Sequence, residues 1–195
     1  TLPRKESEPM TISQIYTTSP TDQREPVERA AFDLLEKLHI PFERVEHDPA
    51  DTMEDCRAIG EALCVRVCKN LFLCNRQGTQ FYLLCMPASK VFKTKDLSAQ
   101  IQSARLSFGL AEKMEELLGV TPGSASILAL MNDTDNQVQL LLDRELYTKE
   151  FIGCHPCKNT GTLKIETSDI LNIFLPHIHH KVKLVDLPET DQQTA

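Results

Sequence analysis

Two apolar runs, Lys69–Cys74 and Gln80–Met86, flank Asn75-Arg76-Gln77-Gly78, and this arrangement constrains the fold more than any other stretch of the chain. Asn and Gly tolerate the backbone that a tight reversal needs, so the segment predicts an antiparallel hairpin. Upstream, Asp22 through Leu38 carries Val27, Ala30, Ala31, Leu34, Leu35 and Leu38 at helical spacing. That stripe predicts an amphipathic helix with Thr21 or Asp22 as its cap and Pro26 in or near the first turn.

The remaining elements follow from the same signals. A strand is expected at Phe42–Glu46, and Thr52 with Asp55 three residues on has the form of a capping box for a short helix reaching about Ile59. That helix places Met53 and Cys56 on one face. Helices are expected at Asp96–Ser103 and Leu110–Leu118, the second stopped by Gly119. Ile127–Met131 and Gln137–Leu142 read as a strand pair around Asn132-Asp133. A strand at Thr162–Glu166, a helix at Ser168–Leu175 and a closing strand at Lys181–Val185 complete the chain. The fold class is α/β, with a mixed central β-sheet and helices packed around it.

At 195 residues the chain suits one core, with residues 21–187 as a single domain between an N-terminal tail at 1–20 and a C-terminal tail at 188–195. Acidic residues outnumber basic ones 28 to 21, which argues against a general polyanion binder. The distribution is uneven: between Arg57 and Arg105 stand eight basic residues and two acidic ones. A basic segment of that kind can hold a phosphate backbone locally, or it can be a solvated edge and helix face. Seven cysteines, with no apolar run of about 18 residues to span a bilayer, place the expectation in a reducing cytoplasm with free thiols.

Several residues carry candidate chemistry. Lys69 opens an apolar strand, where its ammonium either binds a phosphate or blunts a sheet edge, and Asn70 beside it offers both a donor and an acceptor. His155 stands between Gly153 and Pro156, in a restrained loop able to aim an imidazole, or it caps nearby carbonyls. Cys154-x-x-Cys157 has redox or half-zinc spacing, but neither a second such pair nor a helix start accompanies it. His177, His179 and His180 read as a helix end, and Ser107 and Ser124 lie in no nucleophile elbow.

Taken in order, Lys69-Asn70-Leu71-Phe72-Leu73, Ser107-Phe108, Leu118-Gly119-Val120-Thr121-Pro122-Gly123, Asn132-Asp133 and Gly153-Cys154-His155-Pro156 with Asn159-Thr160 resemble the free-standing prolyl-tRNA editing family, ProX/PrdX, related to YbaK. The similarity runs from about Pro26 to Leu187. It implies a hydrolase that deacylates mischarged tRNA(Pro), Ala-tRNA(Pro) first, with no metal or cofactor. Lys69, Asn70 and His155 would act at the ester, and Gly153, Cys154 and Pro156 would grip the aminoacyl end. Met53 and Cys56 would line the pocket, and Lys90, Lys93 and Arg105 would contact tRNA. Prolyl-tRNA synthetase is the possible protein partner, and no membrane is involved. Two alternatives stay open: a Cys-tRNA(Pro) deacylase of the YbaK type, and an inactive module that binds tRNA or the synthetase.

Overall fold

Helix α1 (Pro26–Lys37) starts at Pro26 itself, whose missing N–H lies in the helix's first turn. The expected cap at Thr21 or Asp22 is not used: Glu25 flanks the helix and caps it with no side chain. After β1 (Glu43–Glu46), helix α2 (Met53–Leu63) opens on the expected capping box, the Asp55 N–H donating to Thr52 Oγ1 at 3.1 Å and the Thr52 N–H to Asp55 Oδ2 at 3.0 Å. It continues a turn past Ile59 and ends at Cys64 in the left-handed region, φ 50°. The structure is a computed structural model describing residues 9–189, so the expected tail segments 1–8 and 190–195 lie outside the described residues.

Strands β2 (Cys68–Asn75) and β3 (Phe81–Pro87) form the expected hairpin, with Leu71 opposite Leu84. Asn75 Oδ1 accepts from the Thr79 and Gln80 N–H groups at 2.9 and 3.1 Å, which closes the turn. Helix α3 (Thr94–Ile101), a short strand β4 (Leu106–Phe108) absent from the sequence reading, and helix α4 (Ala111–Leu118) follow. Gly119 ends α4 as expected, at φ +67°.

Residues Ile127–Asn132 form a 3-10 helix, not the expected strand. Ser126 decides this locally: its hydroxyl accepts from the Leu128 N–H at 3.2 Å and caps the turn. The expected partner, β5 (Val138–Asp143), instead lies parallel to β3. A short α5 (Arg144–Tyr147), β6 (Phe151–Cys154) and β7 (Gly161–Glu166) come next. The last helical stretch runs through α6 (Thr167–Asp169), a π-turn at Ile170–Phe174 and α7 (Leu175–His177), before β8 (Val182–Val185).

These strands make two sheets, a five-stranded one in the order β4-β2-β3-β5-β8 and a three-stranded one in the order β1-β7-β6. The larger is mixed, antiparallel across β4, β2 and β3 and parallel across β3, β5 and β8. Both its faces are covered, so all seven residues of central β3 are buried. Leu83 and Leu140 face the main core with Phe32, Leu128 and Phe174, while Leu84 and Leu141 face Leu97 of α3.

Both expected tails are corrected where they are described. Ser13 and Tyr16 donate their N–H groups to the Glu46 and Arg44 carbonyls at 2.8 and 2.9 Å, and the Arg44 guanidinium lies 4.5 Å from the Tyr16 ring centre. Residues 11–18 therefore line the edge of β1, where backbone groups unpaired by β7 hold them. At the other end the Val91 N–H donates to the Pro188 carbonyl at 3.2 Å. No helix among the described residues is long and apolar enough to cross a membrane.

Candidate functional site

The two sheets meet at a seam. Val67, just before β2, forms an isolated parallel bridge with Gly153 of β6, and the Gly153 N–H donates to the Arg66 carbonyl at 3.2 Å. One residue past the bridge on each side stand Cys68 and Cys154, 7% and 2% exposed, in the main core. Two residues past it stand Lys69 and His155. The register thus sets the lysine strand beside the histidine loop, two segments far apart in sequence. Lys69 is exposed, and its ammonium makes no ion pair or hydrogen bond with a described residue.

His155 is half-buried and its ring is fixed. Nδ1 lies 2.7 Å from the Gly161 carbonyl oxygen, which only accepts, so Nδ1 carries the proton and Nε2 the lone pair. Burial pushes this imidazole below its ordinary value, the Gly161 hydrogen bond opposes that shift, and His47 adds to it. His47 is the residue that sequence reasoning missed. Its ring centre is 6.1 Å from that of His155, its Nδ1 donates to the Asp48 carbonyl at 2.7 Å, and its Nε2 meets the Thr162 hydroxyl at 2.8 Å. That hydroxyl donates to His47, leaving its lone pairs toward His155 Nδ1 at 3.5 Å.

The backbone of the loop is held as firmly. The buried Ser126 hydroxyl donates to the His155 carbonyl at 2.6 Å, and Asn159 Oδ1 accepts from the Ala50 N–H at 3.1 Å, tying the loop to the segment before α2. Pro156 packs on Gly161, where an added Cβ would come within 3.3 Å of it.

The other expected site residues divide. Met53, 56% exposed, and half-buried Cys56 line an apolar groove of about 770 Å³ between α2 and the turn after β3, together with Gly60, Val65 and Val67. Burial and the Asp55 carboxylate push the Cys56 thiol up, and the Lys69 ammonium pulls it down, so Lys69 acts on the face of α2 that carries Cys56. Neither Lys69 nor His155 lines the groove itself, which lies beside the seam. Asn70 leaves β2 on the face opposite Lys69, where its Oδ1 accepts from the Cys85 thiol at 2.8 Å.

Cys154, expected at the substrate, is a core residue. Burial pushes its thiol up to about 12, against a hydrogen bond with Ser126, and burial also raises Cys68, Cys85 and Cys157. These thiols stay protonated and belong to the main apolar core. Lys93 and Arg105 are exposed. Lys90, expected to contact tRNA, is instead 10% exposed and gives its Nζ to buried Asp143 at 2.9 Å. Among the described residues no group of three or more His, Cys, Asp or Glu side chains is placed to hold a metal ion.

A mixed α/β domain that joins a strand with a lysine near its start to a histidine loop of fixed tautomer is thereby defined. The chain belongs to the aminoacyl-tRNA editing domain family, whose match covers residues 47–173 and so includes Lys69, His155, His47 and Thr162. The prolyl-tRNA editing protein ProX of Acetoanaerobium sticklandii is 30% identical over 139 residues, covering 71% of this chain and 85% of that protein. Prolyl-tRNA synthetase associated domain-containing protein 1 of Danio rerio is 31% identical over 164 residues, covering 83% and 86% respectively. A solved structure, described as a candidate trans-editing enzyme for prolyl tRNA synthetase, has TM-score 0.62 at 16% identity and covers 86% of this chain and 100% of that chain. At that identity the likeness is one of fold.

Proposed function

We propose that the chain is a trans-editing hydrolase that removes alanine from mischarged tRNA(Pro). The observation that supports this reading is the seam, where the Val67–Gly153 bridge brings the strand that carries Lys69 next to the loop that carries His155, in a member of an editing family. In the reaction a water oxygen attacks the acyl carbon, the bond from that carbon to the ribose oxygen breaks, and a proton passes to the ribose oxygen. Free amino acid and tRNA result. The ester is already activated, so orientation supplies much of the rate.

Lys69 neutralises charge at the ester or the terminal phosphate. His155 presents the Nε2 lone pair to a donor on the substrate or to the water, as a positioning group. Gly153 and Pro156 set the wall of the aminoacyl pocket, with Met53 and Cys56 on its outer rim, and Asn70 contributes by tying β2 to β3 from the far face. A pocket closed by this restrained wall admits alanine and not the proline ring, which complements a synthetase unable to exclude the smaller amino acid. The partners are tRNA(Pro) and, through it, prolyl-tRNA synthetase.

The test is hydrolysis of Ala-tRNA(Pro) by Lys69→Ala and His155→Ala. Lys69→Ala should abolish hydrolysis while unfolding free energy changes by less than about 0.5 kcal/mol, because the side chain is exposed and unpaired. His155→Ala should reduce the rate without abolishing it. A Lys69→Ala enzyme within twofold of the parent removes Lys69 from the mechanism.

A further inference from the structure

The basic segment noted in the sequence sorts into two groups once its partners are known. Arg57 pairs with Glu54, Arg66 with Glu145 and Lys90 with Asp143. The other five, Lys69, Arg76, Lys93, Lys95 and Arg105, are exposed and make no ion pair with a described residue. They belong to β2, the turn after it, the start of α3 and the residue before β4, and are spread along the edge of the larger sheet that β4 closes, with Lys69 and Arg76 at opposite ends of β2.

Beside β4 the surface is aromatic. Phe108 of edge strand β4 is 63% exposed, and half-buried Phe92 meets it edge-on, with ring centres 5.7 Å apart at 63°. Phe108 lies opposite Leu73 of β2, and Leu71 and Phe92 pack on the cluster that contains Leu73. Strand alternation puts Lys69 on this same face, about 13 Å along β2 from Leu73. Phe108 is an exposed ring steadied from its edge, and Lys93, exposed and without an ion-pair partner among the described residues, directly follows the bracing Phe92. It has the makeup of a platform for unpaired nucleotides, in which a base stacks on the ring and phosphates meet the cations.

We propose that Phe108, braced by Phe92, is a stacking platform for an unpaired base near the 3′ end of the RNA, with Lys93 holding the adjoining phosphate. The strand would then run along β2 toward Lys69. This rests on the editing reading for the identity of the RNA, and its test is independent of the chemistry.

The full chain is titrated with a labelled RNA hairpin ending in an unpaired 3′ ACCA, and with the same hairpin lacking those four nucleotides. The parent should bind the tailed hairpin more tightly. Phe108→Ala and Phe108→Leu should each weaken that binding by roughly 5- to 150-fold, the range of one lost base stack, while Phe108→Trp retains it. The Leu variant keeps apolar packing against Phe92 and lacks the π face, so its loss of binding is not a folding defect. Binding by the Ala or Leu variant within twofold of the parent, or equal parental affinity for both hairpins, would overturn the proposal. So would a parent that sediments as a dimer and becomes a monomer on Phe108→Ala, since a second copy would then cover the ring. Binding without deacylation would refute the editing reading and leave the platform standing.

Discussion

Gly153→Ala tests whether the seam holds the site. A methyl group there would stand 3.0 Å from Val65 Cγ1, 3.1 Å from the Arg66 carbonyl oxygen and 3.1 Å from Val67 Cα. Two of these neighbours are backbone, so relief comes from moving a strand and not from turning a side chain. Carbon pairs settle at about 3.5–4.0 Å, so β6 and the start of β2 must part by about 0.5 Å. Overpacking costs about 1–3 kcal/mol, and loss of the Gly153 hydrogen bond to Arg66 adds about 1 kcal/mol. Urea unfolding should therefore show a loss of about 2–4 kcal/mol, which a domain of ordinary stability survives.

Activity should fall further than the folded fraction accounts for. Misplacement by about 1 Å can cost 10²-fold, so half that shift between Lys69 and His155 should slow hydrolysis of Ala-tRNA(Pro) by about 10-fold in folded enzyme. Gly78→Ala is the control: its added Cβ meets nothing within 4 Å, but its φ is +65°. It should lose about 1–2 kcal/mol of stability and no activity. A Gly153→Ala enzyme as stable and as active as the parent would refute the seam as the element that positions the site.

His47 and His155 both titrate below their ordinary value of 6.5. The unfolded chain therefore binds more protons than the folded one as pH falls below about 6.5, so the urea midpoint should hold steady above that pH and drop beneath it; a midpoint that rises from pH 7.5 to 5.5 would contradict the buried neutral rings. The same lone pair at Nε2 gives hydrolysis a rising limb with a midpoint below 6.5, which His155→Ala should remove. Lys90→Gln strands buried Asp143 and should cost about 3–5 kcal/mol in unfolding free energy while leaving the salt dependence of RNA binding unchanged. Lys93→Gln should do the reverse, reducing the slope of log affinity against log salt by about 0.7 with stability unchanged; equal slopes for both variants would place the phosphate contacts elsewhere.

What the sequence showed of this architecture was its local chemistry. The Thr52–Asp55 capping box, the Asn75–Gly78 turn and the Gly119 helix stop each depend on residues within a few positions of one another, and each is where it was expected. Ile127–Met131 misled because a short apolar run buried on every side has no period to distinguish strand from helix, and a single Ser126 hydroxyl settled the matter. The pairing of β5 with β3 and β8, the attachment of residues 11–18 to β1, and strand β6 all depend on backbone groups that find partners across the fold. Lys69 and His155 stand out as candidates by resemblance, but the Val67–Gly153 bridge that joins their two segments is not legible in the sequence. His47 left no signal at all, since its partner Thr162 is 115 positions away and an isolated His-Asp-Pro stretch reads as a turn.

The most direct measurement is the single-turnover rate of hydrolysis of Ala-tRNA(Pro) against Pro-tRNA(Pro), with the Cys and Ser esters alongside. If the restrained Gly153–Pro156 wall excludes the proline ring at an overpacking cost of about 1–3 kcal/mol, alanine should leave roughly 5- to 150-fold faster than proline. Equal rates for the alanyl and prolyl esters would contradict editing by this chain, and a clear preference for the cysteinyl ester would keep the deacylase and replace alanine as its substrate.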